Sequence, residues 1–217
     1  SPTMARLLCL RGYTTPETAR DFLYIRTEQL ADTNLLADIV PAVNRIVEAL
    51  QRGEKITIYG DYDVDGVTAV SILYLYLRDH GADVSYYIPN RIGEGYGVSA
   101  SAVESLAAGG TKLMITVDTG ITATEEVERA RELGVDFVIT DHHECRAELP
   151  AAVAVVNPHR PDDTYPFKDL AGVGVIFKVM CALEHALTQD PMIDCVRRLL
   201  ESYADLVAIG TIADVMP

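Results

Sequence analysis

From Lys55 onward the chain alternates short apolar runs with segments of helical pattern, and this alternation restricts the fold more than any other feature. The runs are Lys55 to Tyr59, Val84 to Ile88, Leu113 to Val117, Val135 to Thr140 and Val153 to Val156, and they read as buried strands. They recur every 20 to 30 residues or so, roughly the length of a βαβ unit. Between them, Val67 to His80 has helical length and stops at Gly81. Ser101-Ala102-Val103-Glu104 and Thr122-Ala123-Thr124-Glu125 have the form of capping boxes, and the helices they open end near Gly109-Gly110 and Gly134. The pattern predicts an α/β fold, a doubly wound, mainly parallel five-stranded sheet with flanking helices. Thr14-Thr15-Pro16-Glu17 opens a short helix within an amino-terminal helical segment, residues 1–33, and residues 34–217 form the main domain. Asn34 to Arg52 reads as a helix ending at Gly53, Gly174 to Leu187 as another, and Met192 to about Leu206 as a last one opened by Asp190-Pro191.

Composition narrows the function classes. The 217 residues are 49% hydrophobic, enough for a sizeable core. No apolar run approaches the length of a membrane span, and Ser1-Pro2-Thr3-Met4-Ala5-Arg6 lacks a signal-peptide pattern, so the expectation is a cytoplasmic protein with no membrane partner. Cys9, Cys145, Cys181 and Cys195 form no CxxC pair and are expected to be reduced thiols in the packing. The net charge of −14 argues against a long basic groove for a nucleic-acid strand. A small cluster, Arg91, His159 and Arg160, offers local guidance for a phosphate.

The chemistry collects where the strands end. Ile56 to Gly60 runs straight into Asp61, Asp63 and Asp65, followed by Gly66. Three carboxylates so crowded repel one another unless a cation holds them, and oxygen ligands suit a hard divalent ion. The spacing fits the first half of an EF-hand loop, but the position that needs a bidentate glutamate is Ile72, and the acids follow a strand pattern. Two further strands end in Asp118-Thr119-Gly120 and in Asp141-His142-His143, and the apolar run Ala208 to Ala213 ends in Asp214. Open parallel sheets bind ligands outside the carboxyl ends of their strands, so these residues converge on one edge.

Taken together, the runs GDYDVDG, PNRIGEGYG, VDTGI, TDHHE, NPHRPD and LAGVGVIFK resemble the DHH phosphoesterase superfamily and, within it, the RecJ-type single-strand DNA exonucleases, over nearly the whole chain. The resemblance implies two ions, Mn2+ or Mg2+, with Asp63 on one, Asp65 on the other and Asp118 bridging both; His142 and Asp214 complete the ligands of the Asp65 ion. Two such cations roughly 3.5 to 4 Å apart activate a water and stabilise phosphoryl charge, so the bridging Asp118 is catalytic. His143 contacts the scissile phosphate as the second catalytic residue, with Arg91 and Arg160 as further phosphate ligands. Gly172 and Gly174, in Ala171-Gly172-Val173-Gly174, offer phosphate-binding amides at a helix start, against the plainer reading of a tight turn. Asp61 and Asp141 support the ligands without binding metal themselves. Many superfamily members have a histidine ligand four residues before Asp63, where this chain has Tyr59, which leaves the Asp63 ion short of ligands.

The expected activity is 5′-to-3′ hydrolysis of single-stranded DNA in repair and recombination, with a single-strand-binding protein and a helicase as possible partners. The alternatives are a phosphodiesterase for short oligonucleotides or cyclic dinucleotides, and a non-catalytic DHH scaffold. The chain stops right after its last motif, which reads as an amino-terminal domain lacking the carboxyl-terminal domains of the full enzyme.

Overall fold

The structure, a computed structural model, describes residues 1–24, 26–90 and 97–216, and it divides into two compact units, Ser1–Ala31 and Asp32–Pro217. In the first unit, helix α1 (Pro2–Leu10) is capped by Ser1 and α2 (Pro16–Leu23) by Thr15, whose hydroxyl accepts the Thr18 amide. Tyr13 stacks on Phe22 at 4.3 Å between ring centres, and a 3-10 turn covers Thr27–Gln29.

The second unit runs α3 (Ile39–Arg52), β1 (Ile56–Gly60), α4 (Val64–Asp79), β2 (Val84–Tyr87), α5 (Ala100–Ala108), β3 (Leu113–Val117), α6 (Thr124–Glu132), β4 (Asp136–Thr140), β5 (Ala154–Val156), α7 (Gly172–Thr188) and α8 (Met192–Ala213). The five strands form one sheet in the order β2-β1-β3-β4-β5, and every pairing is parallel. The order reverses between β1 and β3, so their neighbouring carboxyl ends form the crevice of a doubly wound sheet. Register carries this further. Gly60 pairs with Val117, Val117 with Thr140 and Thr140 with Val156, so Asp61, Asp118, Asp141 and Asn157 each stand one residue beyond a shared level.

Helices cover both faces. Tyr59, Met114, Phe137, Ile139 and Val155 pack against Ala102 and Val103 of α5 and Val127 and Ala130 of α6. On the other face lie α3, α4 and α7, with α8 packed along α4 and α7. Burying a side chain the size of Phe137 or Ile139 contributes about 1.5 to 3 kcal/mol. The far ends of α4, α7 and α8 are tied by Glu184, which accepts from the Tyr76 hydroxyl at 2.8 Å and pairs with Arg198 Nε at 2.9 Å.

Several element boundaries differ from the sequence reading, each for a local reason. The helix expected over Asn34 to Arg52 is a 3-10 turn, Thr33–Leu35, and then α3; Asp38 between them is left-handed (φ 57°), and the Ala37 amide donates to Asp163 at 2.7 Å. α4 begins at Val64 because Asp63 caps it, accepting the Gly66 amide at 2.9 Å. The cap of α5 is Ser99, and Glu104 instead pairs with Arg129 at 2.8 Å. The N-cap of α6, Ala123, has no side-chain cap. α8 continues past Leu206 to Ala213, so the apolar run before Asp214 is the end of a helix.

Arg160, expected at a phosphate, belongs to the fold instead. Its side chain is 8% exposed, and its guanidinium donates to Asp162 (2.9 and 2.7 Å), to Asp38 (2.6 Å) and to the Val155 carbonyl (2.6 Å). The same Asp38 oxygen accepts the Val155 amide at 3.1 Å, so the pair satisfies the outer backbone groups of the edge strand β5. Arg160→Ala should therefore lower stability by about 2 kcal/mol, read by urea unfolding, while leaving manganese uptake unchanged. A variant of native stability would show that the clasp contributes nothing.

Candidate metal centre

The chain leaves β1 at Gly60 and turns into α4 over Asp61 to Asp63. The turn is tight: a Cβ on Gly66 would sit 2.6 Å from the Asp61 carbonyl oxygen, so a glycine is required there. Asp61 is buried, and its Oδ1 accepts the Tyr62 amide at 2.6 Å. Burial raises the pKa of Asp61 above the usual carboxylate range, against the hydrogen bond from Tyr62. Asp63 is exposed at the lip. Asp65, one residue into the helix, points inward and is 1% exposed.

Asp65 is held from across the molecule. The first turn of α7 donates to both of its oxygens, the Gly172 amide to Oδ2 at 2.6 Å and the Val173 amide to Oδ1 at 2.9 Å. These are unsatisfied N-terminal donors at the positive end of the helix dipole, which suits a carboxylate. The amide of Gly172, expected to bind a phosphate, is thus already committed. Gly174 is buried within the helix against Leu170. Gly172 is glycine for a different reason, since a Cβ there would lie 2.5 Å from Asp118 Cβ. Gly210 of α8 makes the same kind of room, because a Cβ there would approach Asp65 Oδ1 to 2.9 Å.

Asp118 follows β3 in a left-handed conformation (φ 59°) that aspartate tolerates better than most residues. Its side chain is 2% exposed, and His142 Nε2 lies 3.1 Å from Oδ1, which nevertheless has no hydrogen bond. His142 Nε2 also stands 3.6 Å from Asp214 Oδ2 and 3.8 Å from Asp65 Oδ2. One imidazole edge therefore faces carboxylates from the end of β3, the start of α4 and the end of α8.

The loop after β4 is organised by Asp141, buried and engaged on both oxygens. Oδ1 accepts the amides of His142 (2.7 Å) and His143 (3.1 Å) and meets His143 Nδ1 at 2.7 Å; Oδ2 accepts the Ile121 amide at 2.9 Å. Burial alone would raise the Asp141 pKa, but the hydrogen bonds and charge of His143 outweigh it and hold the carboxyl below its usual range. The same bond raises the proton affinity of His143, whose side chain is 43% exposed.

Three sets of donor atoms lie within 4.8 Å of one another, namely Asp61, Asp63 and Asp118; Asp65, His142 and Asp214; and Asp118, His142 and His143. Among the described residues, no Lys or Arg pairs with Asp61, Asp63, Asp65 or Asp118. Mixed oxygen and imidazole donors fit a divalent transition ion, and the orphaned, buried Asp118 Oδ1 is the acceptor such an ion would satisfy. A cavity of about 130 Å³ opens beside them, lined by Asp63, Val64, Asp65, Ala213 and Asp214. Arg91, a further phosphate candidate, lies outside the described residues. What the sequence reading missed is the grip of α7 on Asp65, for which backbone amides give no residue-type signal.

Burial, followed by the charges of Asp65, Asp63 and Asp141, pushes Asp118 up to about 10 from 3.8. Without a cation, the folded chain keeps a proton there that the unfolded chain has lost. Stability from this group is complete below the unfolded value and is lost as pH rises toward the folded one. The metal-free protein should therefore unfold at lower temperature as pH rises between about 5 and about 9. Asp118→Asn should flatten that slope, and saturating manganese should abolish it. Equal slopes in the metal-free parent and Asn variant, followed by scanning calorimetry, would show that Asp118 is already ionised.

Residues 55–211 match the DHH family, N-terminal domain. The chain is 46% identical over 217 residues to the single-stranded-DNA-specific exonuclease RecJ of Bacillus subtilis (strain 168), covering 100% of this chain and 26% of that protein. It is 40% identical over 186 residues to RecJ of Escherichia coli (strain K12), covering 84% and 32%. The chain thus spans about a quarter to a third of the length of these curated relatives. Among solved structures, it resembles exonuclease RecJ bound to manganese (TM-score 0.73, 38% identity, 84% of this chain and 44% of that one). It also resembles RecJ in complex with Mn2+ from Thermus thermophilus (TM-score 0.75, 32% identity, 99% and 28%). With its family matched over most of its length and its acids and histidines gathered at the switch point of a parallel sheet, the chain belongs to the DHH family.

Proposed function

We propose that this domain carries the metal centre of a nuclease that hydrolyses phosphodiester bonds of single-stranded DNA from the 5′ end in repair and recombination. The observation that supports it most is Asp118, a buried carboxylate with an oxygen lacking any hydrogen bond, set where Asp65, His142 and Asp214 converge. Two divalent ions, manganese or magnesium, would be held by Asp63 with Asp118 and by Asp65, Asp118, His142 and Asp214. When bound, such ions supply a water ionised near neutral pH and neutralise charge on phosphoryl oxygens.

The protein's own groups do the remaining work. The amides of Gly172 and Val173 fix both oxygens of Asp65 and orient its carboxylate, opposing in part the burial that raises its pKa. Asp141 holds His143 by Nδ1 and raises the ring's affinity for a proton, which suits His143 to donate to the scissile phosphate. That role is electrostatic: a positioned donor stabilises charge as it develops on the phosphoryl oxygens. The net charge of −14, together with Arg160 being committed to the fold, leaves this domain a short foothold on a strand. The firm grip on a long single strand then comes from outside it, and a single-strand-binding protein and a helicase fit as partners that deliver such strands.

Labelled single strands compared with a dinucleotide, in manganese and in magnesium, test the reading. The expected result is metal-dependent release of nucleotides from the 5′ label, feeble and nearly independent of strand length; cleavage of the dinucleotide alone would move the substrate class to short oligonucleotides. The two histidines should also separate. His143→Ala should keep its manganese stoichiometry and lose on the order of 10²-fold in rate, whereas His142→Ala should lose manganese affinity in calorimetric titration. An emptied site in His143→Ala with an intact one in His142→Ala would reverse the roles.

A further inference from the structure

The loop that carries the two histidines is held from two sides, and only one of the holds comes from an acid of the metal centre. Asp141 takes the amides of His142 and His143 and the Nδ1 of the His143 ring. None of these contacts fixes the carbonyl side of His143. Asn157 does so from the end of β5: its Nδ2 donates to the His143 carbonyl at 2.9 Å, across 14 positions of sequence.

Asn157 is fully buried and both of its polar atoms are committed. It follows Val156, which pairs with Thr140, so Asn157 and Asp141 leave neighbouring parallel strands at one level. Its Oδ1 accepts the His159 amide at 2.8 Å, closing a turn in which Pro158 has no amide to offer. The partners settle how the side chain is oriented, since an amide needs the oxygen and a carbonyl needs the nitrogen. An aspartate here would accept from His159 but set a carboxylate against the His143 carbonyl. A leucine would do neither. The turn is itself anchored: the Asn157 carbonyl accepts the Arg160 amide at 3.2 Å, Arg160 is clasped by Asp38 and Val155, and His159 Nε2 lies 2.9 Å from the Lys168 carbonyl. Asn157 thus ties the histidine loop to a fixed base. This matters because the His143 side chain is 43% exposed, so packing alone does little to aim it.

We propose that Asn157 is a positioning residue for His143, fixing the carbonyl side of that residue as Asp141 fixes its amide and ring, and acting on the reaction through His143 alone. This rests on the reading of His143 as the donor to the scissile phosphate. A donor displaced by about 1 Å loses much of its effect on the rate, so a contact behind the loop is felt at the phosphate.

A double-mutant cycle with His143→Ala tests the assignment on single-stranded DNA in manganese. Asn157→Ala should lower kcat on the order of 10-fold while leaving KM and the manganese stoichiometry, read by calorimetry, unchanged. In the His143→Ala background the same change should cost nothing further. In the metal-free, isotope-labelled protein the His143 ring nitrogen signals should shift or broaden in Asn157→Ala. A parent rate in Asn157→Ala, an additive loss in the double variant, an unmoved ring signal or an emptied manganese site would each overturn the assignment while leaving His143 as the donor. A parent rate in His143→Ala would overturn both. Should Asn157→Ala fail to fold by circular dichroism, the near-isosteric Asn157→Asp keeps the acceptor for His159, removes the donor to His143 and carries the same comparisons.

Discussion

Mutual repulsion among buried carboxylates is the constraint around which this domain is organised. Asp61, Asp65 and Asp118 are almost wholly withdrawn from water at the switch point of the sheet, with Asp63 and Asp214 beside them. Like charges so placed cost free energy, and no Lys or Arg among the described residues offsets it. The compensation is arranged at a distance. The N-terminal turn of α7 aims two amides at Asp65, and glycines at 66, 172 and 210 let backbones approach where a methyl group would collide. The fold accepts local strain, in the left-handed backbone of Asp118, to present that carboxylate to the same point.

Positioning these groups accounts for much of the remaining structure. The parallel register sets Asp61, Asp118 and Asp141 at one level. Asp141 uses its four contacts to fold the loop that carries both histidines. Glu184, tied to Tyr76 and Arg198, locks α8 against α4 at the end remote from the site, which fixes where Asp214 emerges. Packing and chemistry are therefore coupled: of the three helices that converge on Asp65, α4 and α7 also cover one face of the sheet, and α8 packs along both of them.

Much of this was legible in the sequence, and the portions that were not share a cause. Strands announce themselves through runs such as Leu113 to Val117, so the residues that follow them, Asp118 and Asp141 with its histidines, could be placed on one edge from the pattern alone. Asp214 was singled out as a residue but not as the cap of a long helix, because Ala208 to Ala213 read as an apolar run separate from the helix, and the packing of Gly210 against Thr68 and Asp65 is unseen in a sequence. Arg160 presents the same side chain to a reader whether it meets a phosphate or Asp38, more than a hundred positions away. Gly172 looked like a phosphate-binding turn, since a sequence does not say which anion an amide will meet. Residue types reveal chemical capacity; which partner takes up that capacity is a tertiary fact.

The donors that converge at the site come from residue 61 at one extreme and residue 214 at the other. A cation taken up there closes a loop that encompasses most of the chain, which makes it a reversible cross-link between the first strand and the last helix. It restricts the unfolded ensemble little, because unfolding scatters the donors and releases the ion, but it opposes the unfolding step itself. On the proposed reading, the concentration of free divalent metal would set how long the native fold persists, so ion supply would govern the lifetime of this domain as well as its proposed chemistry.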